Sequence, residues 1–166
     1  MSTKFTIGWI GTATIAFIFV ATFNGCTKDI PPADKPYDLD VKLSGLGEGF
    51  RATGFIKFRQ NPDTARIIEL DTWVSGLAPN HAYQLQRAVN PITDSTGCSS
   101  TAWLTLGLGL VAQSIHTDGG GSGEADLWRD VTTLARGTQF HIHFQVIDSL
   151  TKTPVLTSDC FDYTVR

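Results

Sequence analysis

The chain has no surplus of basic residues: 13 Lys and Arg stand against 16 Asp and Glu, a formal charge of −3. That removes the electrostatic footprint that nucleic-acid binding needs, and a mildly acidic surface mainly serves solubility. Charge of either sign is scarce at 17% of residues, and helix-forming runs of Ala, Glu and Lys are missing, which favours strands. No Gly-x-Ser-x-Gly elbow occurs, so a hydrolase triad has no support. The run Gly119-Gly120-Gly121-Ser122-Gly123 has no Lys-Ser/Thr pair near it and reads as a hairpin connection, not a phosphate loop. No Cys-x-x-Cys pair occurs among the three cysteines.

What is present suits one globular domain with a core: 166 residues, 42% apolar, with frequent Gly, Thr and aromatics. Period-two alternation recurs in short runs separated by turn residues. These runs are 39–43, 50–58, 67–74 after Asn61-Pro62-Asp63, 82–85 after Ala78-Pro79-Asn80, 123–128, 139–147 and 161–165. Such a pattern predicts an all-β sandwich or flattened barrel of about eight strands.

The N-terminus stands apart from that domain. Lys4 precedes an apolar run from Phe5 to Phe23, followed by Asn24-Gly25-Cys26, the layout of a secretory signal. Gly8, Gly11 and several threonines interrupt the run, which sits near the lower limit of roughly 20 residues for a membrane span. Cys26, placed before Thr27-Lys28-Asp29 and a stretch with Pro31, Pro32 and Pro36, is similar to the lipidated cysteine of bacterial lipoproteins, although Phe23 replaces the usual aliphatic residue three places earlier. The expected division is a signal peptide over 1–25, a lipidated cysteine and proline-stiffened tether over 26–37, and a β domain over 38–166. The chain is then exported, held at a membrane surface of the bacterial cell envelope as an outer-membrane lipoprotein. With Cys26 taken by lipid, Cys98 and Cys160 remain as an even pair in an oxidising setting, where a disulfide is the expected state. A reactive or metal-binding thiol is the alternative, without a local histidine cluster to support it.

One stretch carries a family likeness. Gly76-Leu77-Ala78-Pro79-Asn80-His81-Ala82-Tyr83-Gln84-Leu85-Gln86 resembles the copper-binding strand of the Cu/Zn superoxide dismutases. Further matches follow in the family's order: Gly54 to Gln60, Val74 to Leu77, Asp94 to Ser100, Gly123 to Leu127, Thr138 to Asp148 and Cys160. The resemblance implies a Greek-key β-sandwich, with Cys98 and Cys160 as the two halves of the family's disulfide. It also implies that the chemistry is lost. Gln84 and Gln86 fall on two copper ligands, His143 approximately on a third, and His81 on a structural histidine. Thr101 to Leu106 stands where the bridging histidine belongs, Gly107 to Ala112 replaces the zinc loop, and Thr157 replaces the arginine that guides the anion. A glutamine amide offers only a weakly basic carbonyl oxygen where copper needs imidazole nitrogen.

His141 and His143 keep the possibility of a metal open. Two apart in a strand, they share the outer face with Gln139 and Gln145, while Phe140, Ile142, Phe144 and Val146 face inward. A catalytic zinc takes three protein ligands and a structural zinc four, and Gln84 and Gln86 are the candidates to complete the set. Trp73, Trp103 and Trp128 are expected in the core or at its rim. The apolar segment from Trp103 to Ala112 is expected to pack as a strand or to cover the barrel edge; exposed, it would form an apolar interface patch. Two functions follow: a lipid-anchored, non-enzymatic binding or structural module without a cofactor, or a residual copper or zinc protein. In either case Cys26→Ser is expected to abolish acyl labelling and detergent partitioning of the chain, measured by metabolic labelling and phase separation.

Overall fold

The computed structural model describes residues 37–47, 51–63 and 65–166. Among these the secondary structure is all β. The strands are β1 (Leu39–Gly45), β2 (Thr53–Gln60), β3 (Ile67–Ser75), β4 (Ala82–Pro91), β5 (Leu104–Thr105) and β6 (Gly107–Leu108). They continue as β7 (Val111–Ala112), β8 (Ile115–His116), β9 (Gly123–Asp130), β10 (Gln139–Asp148), β11 (Pro154–Ser158) and β12 (Phe161–Thr164).

Alternation sets the inward face of each long strand. In β1, Leu39, Val41 and Leu43 are buried, while Asp40 and Lys42 are exposed. Antiparallel register aligns Leu39 with Phe58 on β2, Phe58 with Leu70 on β3, and Leu70 with Leu127 on β9, so one row of apolar side chains runs across four strands. From the other half, β10 contributes Ile142, Phe144 and Val146, and β4 contributes Tyr83 and Leu85. Phe58 joins the halves, its ring centroid 4.9 Å from Tyr163 and 6.2 Å from Phe144 in edge-on geometry. Each fully buried side chain of this size contributes about 1.5–3 kcal/mol. Tyr163 keeps its hydroxyl satisfied by donating to Gln60 Oε1 at 2.8 Å, and burial pushes that hydroxyl's pKa up.

The strand order β5-β4-β10-β11-β1-β2-β3-β9-β6-β7 forms a nearly closed, flattened barrel. β11 follows β10 by a short turn and pairs with β1 on its other side, so the last part of the chain closes on the first. Without the short strands, β4 and β9 would be open edges, with unpaired backbone groups. The chain from 104 to 109 covers both. β5 pairs with β4 at Gln86↔Thr105, the Leu106 N–H donates to the Leu85 carbonyl at 2.8 Å, and β6 pairs in parallel with β9 at Leu108↔Trp128. At the far end, β8 pairs with β4 at Ala82↔His116 and Thr117 bridges to Gly123. The glycine run is a built turn: Asp118 Oδ1 accepts from Gly120 N–H at 2.8 Å and Ser122 N–H at 3.0 Å. Gly121 has φ +78°, and a Cβ there would lie 2.1 Å from the Leu77 carbonyl oxygen, so no other residue fits.

The expected strands all form, with shifted ends. β2 starts at Thr53, and β4 runs on to Pro91, well past Leu85. The segment from Trp103 to Ala112 divides instead of packing as a single core strand: Leu106 is buried, whereas Leu108, Leu110 and Val111 are 44%, 85% and 64% exposed at the β6–β7 hairpin. The physical reason is that only the inward phase of this short strap meets the barrel, and its hairpin projects beyond β9. The disulfide joins Cys98 to Cys160 across 62 residues with Cα atoms 5.6 Å apart. Replacing both cysteines by alanine is expected to lower unfolding free energy by roughly 2–4 kcal/mol, read from denaturant midpoints under oxidising conditions.

Candidate functional site

The outer face of β4 and β10 carries the sequence-derived metal candidates. Register places Asn90 opposite His141, Ala88 opposite His143, Gln86 opposite Gln145 and Gln84 opposite Ile147. The four candidates therefore spread along the ladder, each with its own partners. His141 Nδ1 donates to Asp162 Oδ1 at 2.7 Å, and His143 Nε2 donates to the Ser100 carbonyl at 3.1 Å with its ring 4.6 Å from that of Trp103. Gln86 accepts from Gln145 Nε2 at 2.7 Å and donates to Thr105 Oγ1 at 3.0 Å, while Gln84 accepts from Lys152 Nζ at 3.2 Å. Each histidine has one ring nitrogen outside these bonds, but successive outward positions on a strand are about 7 Å apart. Among the described residues no group of three or more His, Cys, Asp or Glu side chains is placed to hold a metal ion. Thr157 lies opposite Gln145 on β10 and Ser44 on β1, within the sheet. Cys26 lies outside the described residues.

His81 is structural in its surroundings. Its Nε2 donates to Asp148 Oδ2 at 2.7 Å, and its ring stands 5.0 Å from Tyr83. Asp148 also accepts from the N–H groups of Leu150 and Thr151 at 2.8 and 3.0 Å, closing the turn after β10. The Thr151 N–H, then the Leu150 N–H and His81, hold its carboxyl below the ordinary range against the opposing effect of desolvation.

The inside of the barrel holds what the sequence reading does not single out. A cavity of about 220 Å³ lies at the end of the barrel covered by the strap, with apolar walls that include Phe58, Leu70, Leu106, Ile142 and Phe144. Arg87 and Arg129 also line it. Arg87 lies between Leu85 and Val89 on the inward phase of β4, opposite Phe144; Arg129 follows Leu127 on the inward phase of β9. The two arginines thus come from the two strands that the strap joins. Arg129 donates one hydrogen bond, from Nη1 to the Gly109 carbonyl at 3.0 Å, which ties β9 to the hairpin. Arg87 makes no hydrogen bond or ion pair among the described residues. Burial first, and the neighbouring Arg129 charge second, lower its pKa from the ordinary guanidinium value.

The cavity's lip is the β9–β10 connection, with Val131, Thr133 and Leu134 on the wall. Arg66, at φ 53°, pins this connection: its carbonyl accepts from Val131 N–H at 3.0 Å, and its guanidinium donates to the carbonyls of Thr132, at 3.1 Å, and Leu134. Asp130, the acidic residue on the wall, turns its Oδ1 to Thr132 and accepts from that residue's N–H at 2.7 Å and hydroxyl at 2.6 Å. The signal available in the sequence is a phase violation. Arginine at 87 continues the inward series Tyr83, Leu85 and Val89, and arginine at 129 continues Ala125 and Leu127.

No protein-family model, no curated protein and no solved structure matches this chain. The chemistry of the site therefore rests on its own geometry.

Asp148 generates a pH prediction. A carboxylate whose native pKa is depressed adds stability that is complete above its unfolded value near about 4 and is lost as pH falls through the lower native value. Asp148→Asn is thus expected to lower the melting temperature at neutral pH, with the difference from wild type shrinking steadily below about pH 4. Thermal unfolding of both proteins from pH 7 to pH 2.5 measures it.

Proposed function

We propose that the protein is a non-catalytic binding module of the bacterial cell envelope, held at a membrane by lipid on Cys26, with the cavity under the strap as its binding site. The observation that carries this reading is a preformed, mainly apolar cavity with a few polar groups converging on it, the usual composition of a small-molecule site. The strap has a role in the same reading: it closes the barrel at the place where the cavity forms, between the two edge strands. The fold's descent from Cu/Zn superoxide dismutases is part of the proposal, resting on the ordered matches around Gly76 to Gln86, Asp94 to Ser100 and Cys160. That family's chemistry is not part of it.

The rival reading, a copper or zinc protein using His141, His143, Gln84 and Gln86, draws support from the uncommitted nitrogen on each histidine. It lacks convergence of the four side chains, since the glutamines are bonded to Gln145, Thr105 and Lys152. Two titrations of the purified chain decide between the readings. Toluene, a small apolar probe, is expected to give saturable NMR shifts at amides of Phe58, Leu70 and Ile142, and Val89→Phe to remove them by filling space. Copper or zinc is expected to bind with less than one equivalent and without change in the His141→Ala, His143→Ala double mutant. Absence of any toluene response, or stoichiometric metal lost in that mutant, would reverse the assignment.

A further inference from the structure

The unpaired cation under the strap specifies the chemistry of the ligand. We propose that the cavity takes a small monocarboxylate with an apolar body, its carboxylate gripped by the Arg87 guanidinium beside Arg129. This deepens the binding reading above and rests on it.

Arg87 is half-buried on the cavity wall with no acceptor among the described residues, and its nitrogen atoms keep contact with solvent. Partial desolvation of an unpaired guanidinium costs stability, and proteins ordinarily pair such a group or replace it by an apolar side chain. Leu85 and Val89, the neighbouring inward positions on β4, are apolar, so a leucine or methionine at 87 would continue the wall. Arg129 raises the cost by placing a second positive charge within interaction range. Asp130 forms no ion pair with Arg87: its Oδ1 is bonded to Thr132, and its charge acts on Arg129 and Arg66, so one carboxylate faces more than one guanidinium. The site therefore carries an excess of positive charge that a bound anion neutralises.

The apolar walls narrow the class of anion. A carboxylate has two oxygens, and one guanidinium fork satisfies both with parallel hydrogen bonds. A tetrahedral oxyanion such as phosphate would bring further oxygens against Phe58, Phe144 and Leu106, which donate nothing. Size sets the body. A cavity of about 150 Å³ accommodates benzene, so about 220 Å³ suits an aromatic or short aliphatic acid of benzoate dimensions.

Benzoate and benzamide share this shape and differ in charge, which makes them the probes. Calorimetric titration of the full chain is expected to give benzoate at least tenfold tighter binding than benzamide, and no saturable binding of inorganic phosphate. Arg87→Met is expected to erase the benzoate preference and to raise the melting temperature of the unliganded protein, because a partly desolvated positive charge that repels Arg129 has been removed. Equal affinities for the two probes overturn the carboxylate assignment and leave the cavity as an apolar site. The assignment also fails if phosphate binds as tightly as benzoate, or if Arg87→Met keeps the preference. A variant that melts lower or fails to fold counts against the proposal as well, since Arg87 would then be compensated within the free protein; the wild-type probe ratio is read independently of that variant. If neither benzoate nor benzamide binds, the binding-module reading falls with it.

Discussion

Closure of the barrel across the gap between β4 and β9 is the constraint on which the rest of the structure depends. Both strands would otherwise leave a row of backbone donors and acceptors open, a state that invites pairing with another chain. The strap at 104–109 supplies those partners from a short segment that pairs antiparallel with one edge and parallel with the other. Because it bridges and does not fill, the side chains beneath it do not pack to full density. A cavity forms there, walled by the apolar residues of both halves. Gly109 shows how tightly the arrangement is set: at φ +65°, a Cβ would lie 2.7 Å from the Trp128 ring.

Structure and function meet at Arg87. Folding gains nothing evident from a guanidinium at an inward position of β4, where the flanking inward residues are Leu85 and Val89. A half-buried charge that lines a cavity without a partner in the protein is the kind of group that concentrates at functional sites, where its cost in stability is offset when a ligand binds. The outer face makes the contrast clear. There, Gln86, Gln145, Thr105, His141 and Asp162 satisfy one another in pairs and short chains, the ordinary condition of polar groups on a largely covered sheet face.

Much of the architecture is legible from alternation, and the failures have identifiable causes. Leu39, Val41 and Leu43 announce β1, and Phe140 to Val146 announces β10, because one buried face forces period two. β11 is hard to see because Pro154, Thr157 and Ser158 dilute its apolar content, and its inward residue is Leu156 alone among fully buried positions there. The strap reads as uniformly apolar, yet its two-residue strands are defined by what they pair with, which local sequence does not encode. The cysteine pair is legible from counting and from the family likeness. At the site, attention to metal-ligating residue types leads to the outer ladder, where histidines and glutamines lie in sequence-adjacent rows. Arg87 and Arg129 are 42 residues apart in the sequence and meet only because strand order brings β4 and β9 to the same gap.

The most direct measurement is the NMR signal of the Arg87 Nε–H group, assigned by comparison with Arg87→Met, in the unliganded protein and during addition of benzoate. An unpaired guanidinium that becomes the carboxylate's partner predicts rapid solvent exchange at first, then a saturable downfield shift with slowed exchange on the same concentration scale as the amides of Phe58 and Leu70. A signal already protected in the unliganded protein, or one that stays unmoved while those amides shift, would contradict a carboxylate site at Arg87.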